Sequence, residues 1–265
     1  MSARADVKIL WLNPIGYESY DQPMADFVSG IKQENTNVEV SSFSSDFKMD
    51  NLEYRTYEAL IAADVIRVVR HAAQNDFDAM VVGCFYDPHL EDAREISGDT
   101  IVVAPCQASL QIAANLCNKF SVIIGQEKWR QQMAERVYAY GYGSRLASMR
   151  SIDMPVCDLQ KDCGLTASRI IEAGRKAVEE DQAEALILGC TCTFGLHEEV
   201  QRELGVPVID PIIAAFKMAE YLGHLKRIFG WTPSRLWSCA PPPEAQLEAF
   251  GLFTAPAPIG NTVTV

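Results

Sequence analysis

Two stretches of this chain end in Gly-Cys and read as one element written twice. They are Asp78-Ala79-Met80-Val81-Val82-Gly83-Cys84 and Glu184-Ala185-Leu186-Ile187-Leu188-Gly189-Cys190. Each is a short apolar run followed by turn and helix-start residues, the pattern of a buried parallel strand. In an open α/β sheet a ligand sits beyond the carboxyl ends of such strands. Two thiols delivered there from two similar units make a general acid and a general base. A thiolate on one face takes the proton from a carbon next to a carbonyl. A thiol on the other face returns a proton, and the configuration inverts. Backbone amides at the following helix starts can stabilise the developing enolate, so this chemistry calls on neither metal nor cofactor.

The flanking residues refine the picture. Cys84 is followed by Phe85-Tyr86-Asp87-Pro88-His89. Asp-Pro predicts a helix start, with Asp87 as cap and Pro88 in the first helical position. Amides there favour an anion and would lower the Cys84 pKa, whereas a nearby Asp87 carboxylate opposes the thiolate. Cys190 is followed by the hydroxyl-rich Thr191-Cys192-Thr193-Phe194-Gly195, suited to a carboxylate or carbonyl. Cys192 reads as a structural neighbour rather than a third catalyst. Asn13-Pro14 and Gly125-Gln126 close the opening strand of each copy. Their amides suit a carbonyl or carboxylate, and the same residues are ordinary turn formers. A zinc reading draws on Cys84 with His89, and on Cys190, Cys192 and His197, and a zinc- or redox-binding protein using Cys84, Cys190 and Cys192 is the non-catalytic alternative. The spacings depart from the usual Cys-x2-Cys pattern, and both histidines fall on expected helices. Cys106, Cys117, Cys157, Cys163 and Cys239 have no matching context and read as structural.

The elements that carry these residues alternate between strand and helix in two parallel series. The first opens with Lys8–Asn13, continues through a helix over about Tyr54–Ala73, the strand ending at Cys84 and a helix from Asp87, and closes with the strand Ile101–Pro105 and a small-residue helix through Leu116. The second opens with Phe120–Gly125. Helices near Glu127–Tyr140 and Thr166–Glu180 follow, then the strand ending at Cys190, a helix near Leu196–Leu204, the strand Val206–Asp210 and a long helix from Pro211 to about Phe229. The two cysteines are 106 positions apart. This predicts two similar Rossmann-like, flavodoxin-like α/β domains with parallel sheets. The expected boundaries are residues 1–117, completed by 210–230, and residues 118–209. A pseudo-twofold between the copies would bring Cys84 and Cys190 to opposite walls of a shared cleft. After Trp231 the prolines at 241–243, 256 and 258 predict an extended arm over 231–265, packed on the body or on a neighbouring subunit.

Composition bounds the function. The net charge of −12, with no offsetting basic patch, argues against nucleic acid and anionic membrane as partners. No apolar run reaches transmembrane length, and the first residues lead into a strand rather than a signal peptide. Eight cysteines without a secretory signal read as reduced thiols in a cytoplasmic protein. Gly-x-Gly-x-x-Gly, phosphate-loop and Gly-x-Ser-x-Gly motifs are absent.

These residues resemble the aspartate/glutamate/hydantoin racemase superfamily, in particular its hydantoin and allantoin racemase branch. The likeness runs over about residues 8–240. It rests on Ile9–Pro14, Gly83-Cys84-Phe85-Tyr86-Asp87-Pro88, Leu188-Gly189-Cys190-Thr191 and Gly205–Asp210, with support from Tyr57–Leu60 and Arg150–Val156. The resemblance implies two α/β domains, no cofactor, a small-molecule substrate and a homo-oligomer. It gives Cys84 and Cys190 the roles of opposed acid and base. Asn13, Phe85, Tyr86, Gln126, Thr191 and Cys192 take substrate-pocket positions. Tyr86 and His89 stand where that branch usually has glycine, which implies a bulkier, more aromatic pocket. Relatives on the same fold isomerise or decarboxylate small dicarboxylates, and those reactions stand as alternatives.

Overall fold

The computed structural model describes residues 6–44 and 46–265. Along the chain lie β1 (Val7–Asn13), α1 (Asp21–Ile31), β2 (Thr36–Phe43), α2 (Arg55–Leu60), α3 (Ala62–Gln74), β3 (Ala79–Val82), α4 (Leu90–Ile96) and β4 (Ile101–Val103). Then come α5 (Pro105–Leu116), β5 (Phe120–Ile124), α6 (Arg130–Ala139), β6 (Leu146–Ser151), α7 (Cys163–Glu179), β7 (Ala185–Leu188), α8 (His197–Leu204) and β8 (Val208–Ile209). The chain finishes with α9 (Pro211–Phe229), α10 (Glu244–Ala249) and β9 (Ile259–Thr264).

The described residues form two compact units. One holds the chain through Gly83, then Pro88–Val103 and Phe216–Val265; the other holds Cys84–Asp87 and Ala104–Ala215. The first unit contains a five-stranded sheet in the order β4-β3-β1-β2-β9. Its first four strands are parallel, and β9 joins the β2 edge antiparallel. The second unit contains the parallel sheet β6-β5-β7-β8. Strand for strand, β2-β1-β3-β4 and β6-β5-β7-β8 follow the same order. Each sheet therefore reverses its winding between a central pair, β1/β3 in one and β5/β7 in the other. That is the position where doubly wound sheets bind ligands.

The central strands form because both of their faces are covered. Ala79–Val82 and Ala185–Leu188 are buried at every residue and carry no polar alternation. Trp11, Phe43 and Phe77 fill the core of the first unit, and Phe120, Ile187 and Leu188 that of the second.

Several elements differ from the sequence expectation. Residues 84–87 and 104–117 were expected in the first domain. The turn 84–87 and α5 instead belong to the second unit, where α5 packs on β7, β8 and α6. The helix expected from Asp87 begins at Leu90, because Asp87 and His89 hold φ of 49° and 57°, left-handed values that no helix accommodates. The helix expected over Tyr54–Ala73 is two helices that meet at Ile61. The tail is not extended throughout. Its proline-free stretch Glu244–Ala249 is helical, and Ile259–Thr264 completes the edge of the first sheet.

The tail is tied to its own unit by side chains. Arg235 Nη1 donates to the Arg94 carbonyl at 2.6 Å, and Nη2 donates to Ser97 Oγ at 2.9 Å and to the Gly98 carbonyl. Arg67 Nε donates to the Leu252 carbonyl at 2.9 Å, and Arg70 pairs with Glu244. Among the described residues no helix is long and apolar enough to cross a membrane.

Candidate active site

The glycine before each cysteine has a steric cause. A Cβ on Gly83 would lie 2.6 Å from Trp11 Nε1 and 2.8 Å from the Leu12 carbonyl oxygen. A Cβ on Gly189 would lie 2.7 Å from the Ile123 carbonyl oxygen. Those same carbonyls accept the glycine amides, Gly83 to Leu12 at 2.8 Å and Gly189 to Ile123 at 2.7 Å. Each strand thus ends pressed against its central neighbour, and the cysteine is the next residue.

The two cysteine turns close in the same way. The Cys84 carbonyl accepts the Asp87 N–H at 2.9 Å, and the Cys190 carbonyl accepts the Thr193 N–H at 3.1 Å. Thr193 Oγ1 also donates to the Cys190 carbonyl, at 2.6 Å. Both cysteines are half-buried, and none of the eight cysteines is in a disulfide. Phe85 and Tyr86 occupy the middle of the first turn, and both are buried. Thr191 and Cys192 occupy the middle of the second; Thr191 is buried and Cys192 half-buried. The Cys192 carbonyl accepts Gln160 Nε2 at 2.6 Å, which fixes the backbone of that turn.

The amide candidates fall at the ends of the central strands. Gln126 follows β5, the strand paired with β7, and is half-buried. Asn13 ends β1, the strand paired with β3. Its side chain is engaged on both sides: Oδ1 accepts Trp11 Nε1 at 2.9 Å, and Nδ2 donates to Asp21 at 2.7 Å. Asp21 also accepts the Ser42 N–H at 2.9 Å and Ser42 Oγ at 2.7 Å. Asn13 therefore works at least as the centre of a buried polar network. Burial holds the Asp21 carboxyl above its ordinary range in spite of these bonds.

Asp87 is a cap, as expected, but of a different helix. It is fully buried and caps α5 rather than a helix of its own. Its carboxylate accepts the N–H of Cys106 and of Gln107, each at 2.8 Å, and Tyr140 OH at 3.0 Å. Burial raises its pKa to about 7 against the pull of these bonds. Burial first, and then Asp87 and Cys84 nearby, push the Cys106 thiol well up, so Cys106 stays neutral.

Asp210 is the counterpart in the second half. It caps α9 by accepting the N–H of Ile212 at 2.8 Å and of Ile213 at 3.3 Å, and its other oxygen accepts the Gly195 N–H at 3.2 Å.

The two histidines of the zinc reading have other partners. His89 lies 2.9 Å from the Glu58 carbonyl through Nε2 and 3.1 Å from Asp92 through Nδ1. His197 lies 3.6 Å from Asp210. Among the described residues, no three His, Cys, Asp or Glu side chains gather as a ligand set.

Two matched Gly-Cys turns at the switch points of two like-ordered sheets are a specific arrangement, and its family can be tested directly. The Asp/Glu/Hydantoin racemase model matches residues 9–219. The chain belongs to this racemase family. A hydantoin racemase of Paenarthrobacter aurescens is 30% identical over 241 residues, 91% of this chain and 99% of the relative. A hydantoin racemase of Pseudomonas sp. (strain NS671) is 34% identical over 168 residues, 63% of this chain and 67% of the relative. Among solved structures, allantoin racemase from Klebsiella pneumoniae superposes with a TM-score of 0.80 at 26% identity, covering 90% of this chain and 95% of that one. The fold of this racemase family is therefore the fold of this chain, and its curated relatives are isomerases.

Proposed function

We propose that the chain is a cofactor-independent racemase that inverts the carbon next to a carbonyl, in a 5-substituted hydantoin, allantoin or a related amino-acid derivative. Cys84 and Cys190 are the acid–base pair. One thiolate removes the proton and the other thiol delivers one to the opposite face, with the roles exchanged for the other enantiomer. The observation that carries this reading is the equivalence of the two Gly-Cys turns within a chain of the racemase family. Phe85, Tyr86, Gln126, Thr191 and Cys192 shape the pocket around the ring and its substituent, and Asn13 braces it. Eight cysteines outside disulfides suit a reducing cytoplasm, and the enzyme works as a homo-oligomer.

The test is proton exchange in deuterated water, followed by NMR with optical rotation in parallel. Single enantiomers of 5-benzylhydantoin, allantoin, aspartate and glutamate are the substrates. Deuterium entering the α-carbon of a hydantoin or allantoin as rotation decays is the expected result. Absence of exchange with all of them would overturn the reading and turn attention to isomerisation of a small dicarboxylate.

A further inference from the structure

The segment that follows each cysteine is tied by one buried carboxylate to the first turn of a helix, and the two ties are built in opposite directions. In α5 the first helical residue is Pro105, so the orphan amides are those of Cys106 and Gln107. The residue before Pro105 is Ala104, which carries no oxygen to cap them. Asp87 caps them instead, from the residue whose own N–H closes the Cys84 turn. In α9 the first residue is Pro211 and the orphan amides are those of Ile212 and Ile213. Asp210, the residue before Pro211, caps them itself and uses its second oxygen to hold Gly195, five residues past Cys190.

The register is the same in both halves. Ala104 and Asp210 are 106 positions apart, as are Cys84 and Cys190. One carboxylate per half thus joins the segment that follows the cysteine to the second and third amides of the helix. In the first half it is carried by the turn, in the second by the helix. Loss of the oxygen at position 104 is matched by its presence at position 87.

We infer that Asp87 and Asp210 are positioning residues of the proposed reaction, each fixing the cysteine of its own half. The inference rests on the acid–base roles of Cys84 and Cys190. Proton transfer in a two-thiol site tolerates little displacement, because each sulfur must meet the same carbon from its own face. Both carboxylates are buried and hold three or more groups at once, so their removal frees the turn locally.

The experiment is alkylation by iodoacetamide, with Cys84 and Cys190 resolved by peptide mass spectrometry, beside steady-state kinetics on 5-benzylhydantoin and allantoin. Asp87→Ala is expected to lower kcat by roughly tenfold to hundredfold with KM within about twofold. It should raise the alkylation rate of Cys84 by about threefold or more and leave Cys190 unchanged. Asp210→Ala should do the reverse. Asp87→Asn, which keeps one acceptor oxygen, and Tyr140→Phe, which removes one bond to Asp87, should lie between wild type and Asp87→Ala. These two milder variants decide the matter if the alanine variant does not fold. General loosening would raise both cysteines together, and that result, or an unchanged kcat in Asp87→Ala, overturns the inference. Cys84-selective alkylation in a protein that turns over neither substrate would leave the tie standing and overturn the proposed substrate class alone.

Discussion

Asp210 holds His197 at an Nδ1–Oδ2 separation of 3.6 Å, with the carboxylate fully buried and the imidazole largely so. That carboxylate holds the His197 pKa above the ordinary imidazole range. The folded state therefore binds the proton more tightly than the unfolded chain, and stability falls as pH rises. The contribution is complete below an unfolded pKa of about 6.5 and is lost as pH passes the folded value. Thermal melts of wild type and His197→Gln should differ most near pH 5.5 and converge above pH 8. Curves that stay parallel across this range would show that the pair does not titrate with folding.

Asp87 has the same sign from the opposite cause. Its pKa rises to about 7 because burial disfavours the charge, not because a partner attracts the proton. Between about pH 4 and pH 7 the unfolded chain is ionised while the folded protein still holds the proton, so stability again falls as pH rises. Asp87→Asn removes that titration and keeps the side-chain shape. The variant is expected to be the less stable protein near pH 4, where neither state of wild type has yet gained from ionising the acid. It should regain ground on wild type between about pH 4 and pH 7 and keep a constant gap above that. A gap that is constant from pH 4 to pH 8 would contradict the raised pKa.

The strands that lead to Cys84 and Cys190 were legible in the sequence because they are apolar on both faces and closed by Gly-Cys. β2 was not, because Thr36-Asn37-Val38-Glu39-Val40-Ser41-Ser42-Phe43 mixes polar and apolar residues although most of it is buried. Its serines are covered by the Asp21 network and by β9, partners that come from elsewhere in the chain. β6 was missed for a related reason: it is an edge strand, and most of its residues are only half-buried. Asp87 read as a local cap because Asp-Pro usually is one. Its actual partners are nineteen and twenty residues further on, at Cys106 and Gln107. The signal that could have revealed them is the pairing of Ala104-Pro105 with Asp210-Pro211 at the cysteine spacing.

The C-terminal tail closes an edge that would otherwise offer unpaired backbone groups. β9 pairs with β2 from Glu39↔Thr264 to Phe43↔Ile259, and Asn261 Nδ2 donates to Glu18 at 3.0 Å. Truncation after Gly230 removes β9, the Arg235 cap on α4 and the Arg70–Glu244 pair together. The truncated chain should melt lower by on the order of 5 °C or more and scatter light at lower temperature, since an exposed strand edge templates association. A truncated protein with wild-type melting and no added scattering would show that the tail does not stabilise its unit.

Gly83 and Gly189 should resist even a methyl group. At Gly189 the added carbon meets the Ile123 carbonyl at 2.7 Å, and backbone does not yield as a side-chain tip would. Gly189→Ala is expected to cost about 1–3 kcal/mol of stability by overpacking. Gly30→Ala is the control. Nothing lies within 4 Å of a Cβ at that helical position, so the change should be neutral or mildly stabilising. Equal urea midpoints for Gly189→Ala and wild type would sink the steric explanation of the Gly-Cys motif.

Two thiols acting on opposite faces leave a signature that one thiol cannot. Cys84→Ala and Cys190→Ala should each lower racemisation by roughly a thousandfold or more, because inversion needs both groups. Each variant retains one thiol, which can still remove and return a proton on its own face. In deuterated water each should exchange the α-proton of one enantiomer without inverting it, and the two variants should prefer opposite enantiomers. The double variant should do neither. NMR on single enantiomers, with chiral chromatography of the product, separates exchange from inversion. If either single variant racemises at the wild-type rate, or both exchange the same enantiomer, the cysteines are not an opposed pair.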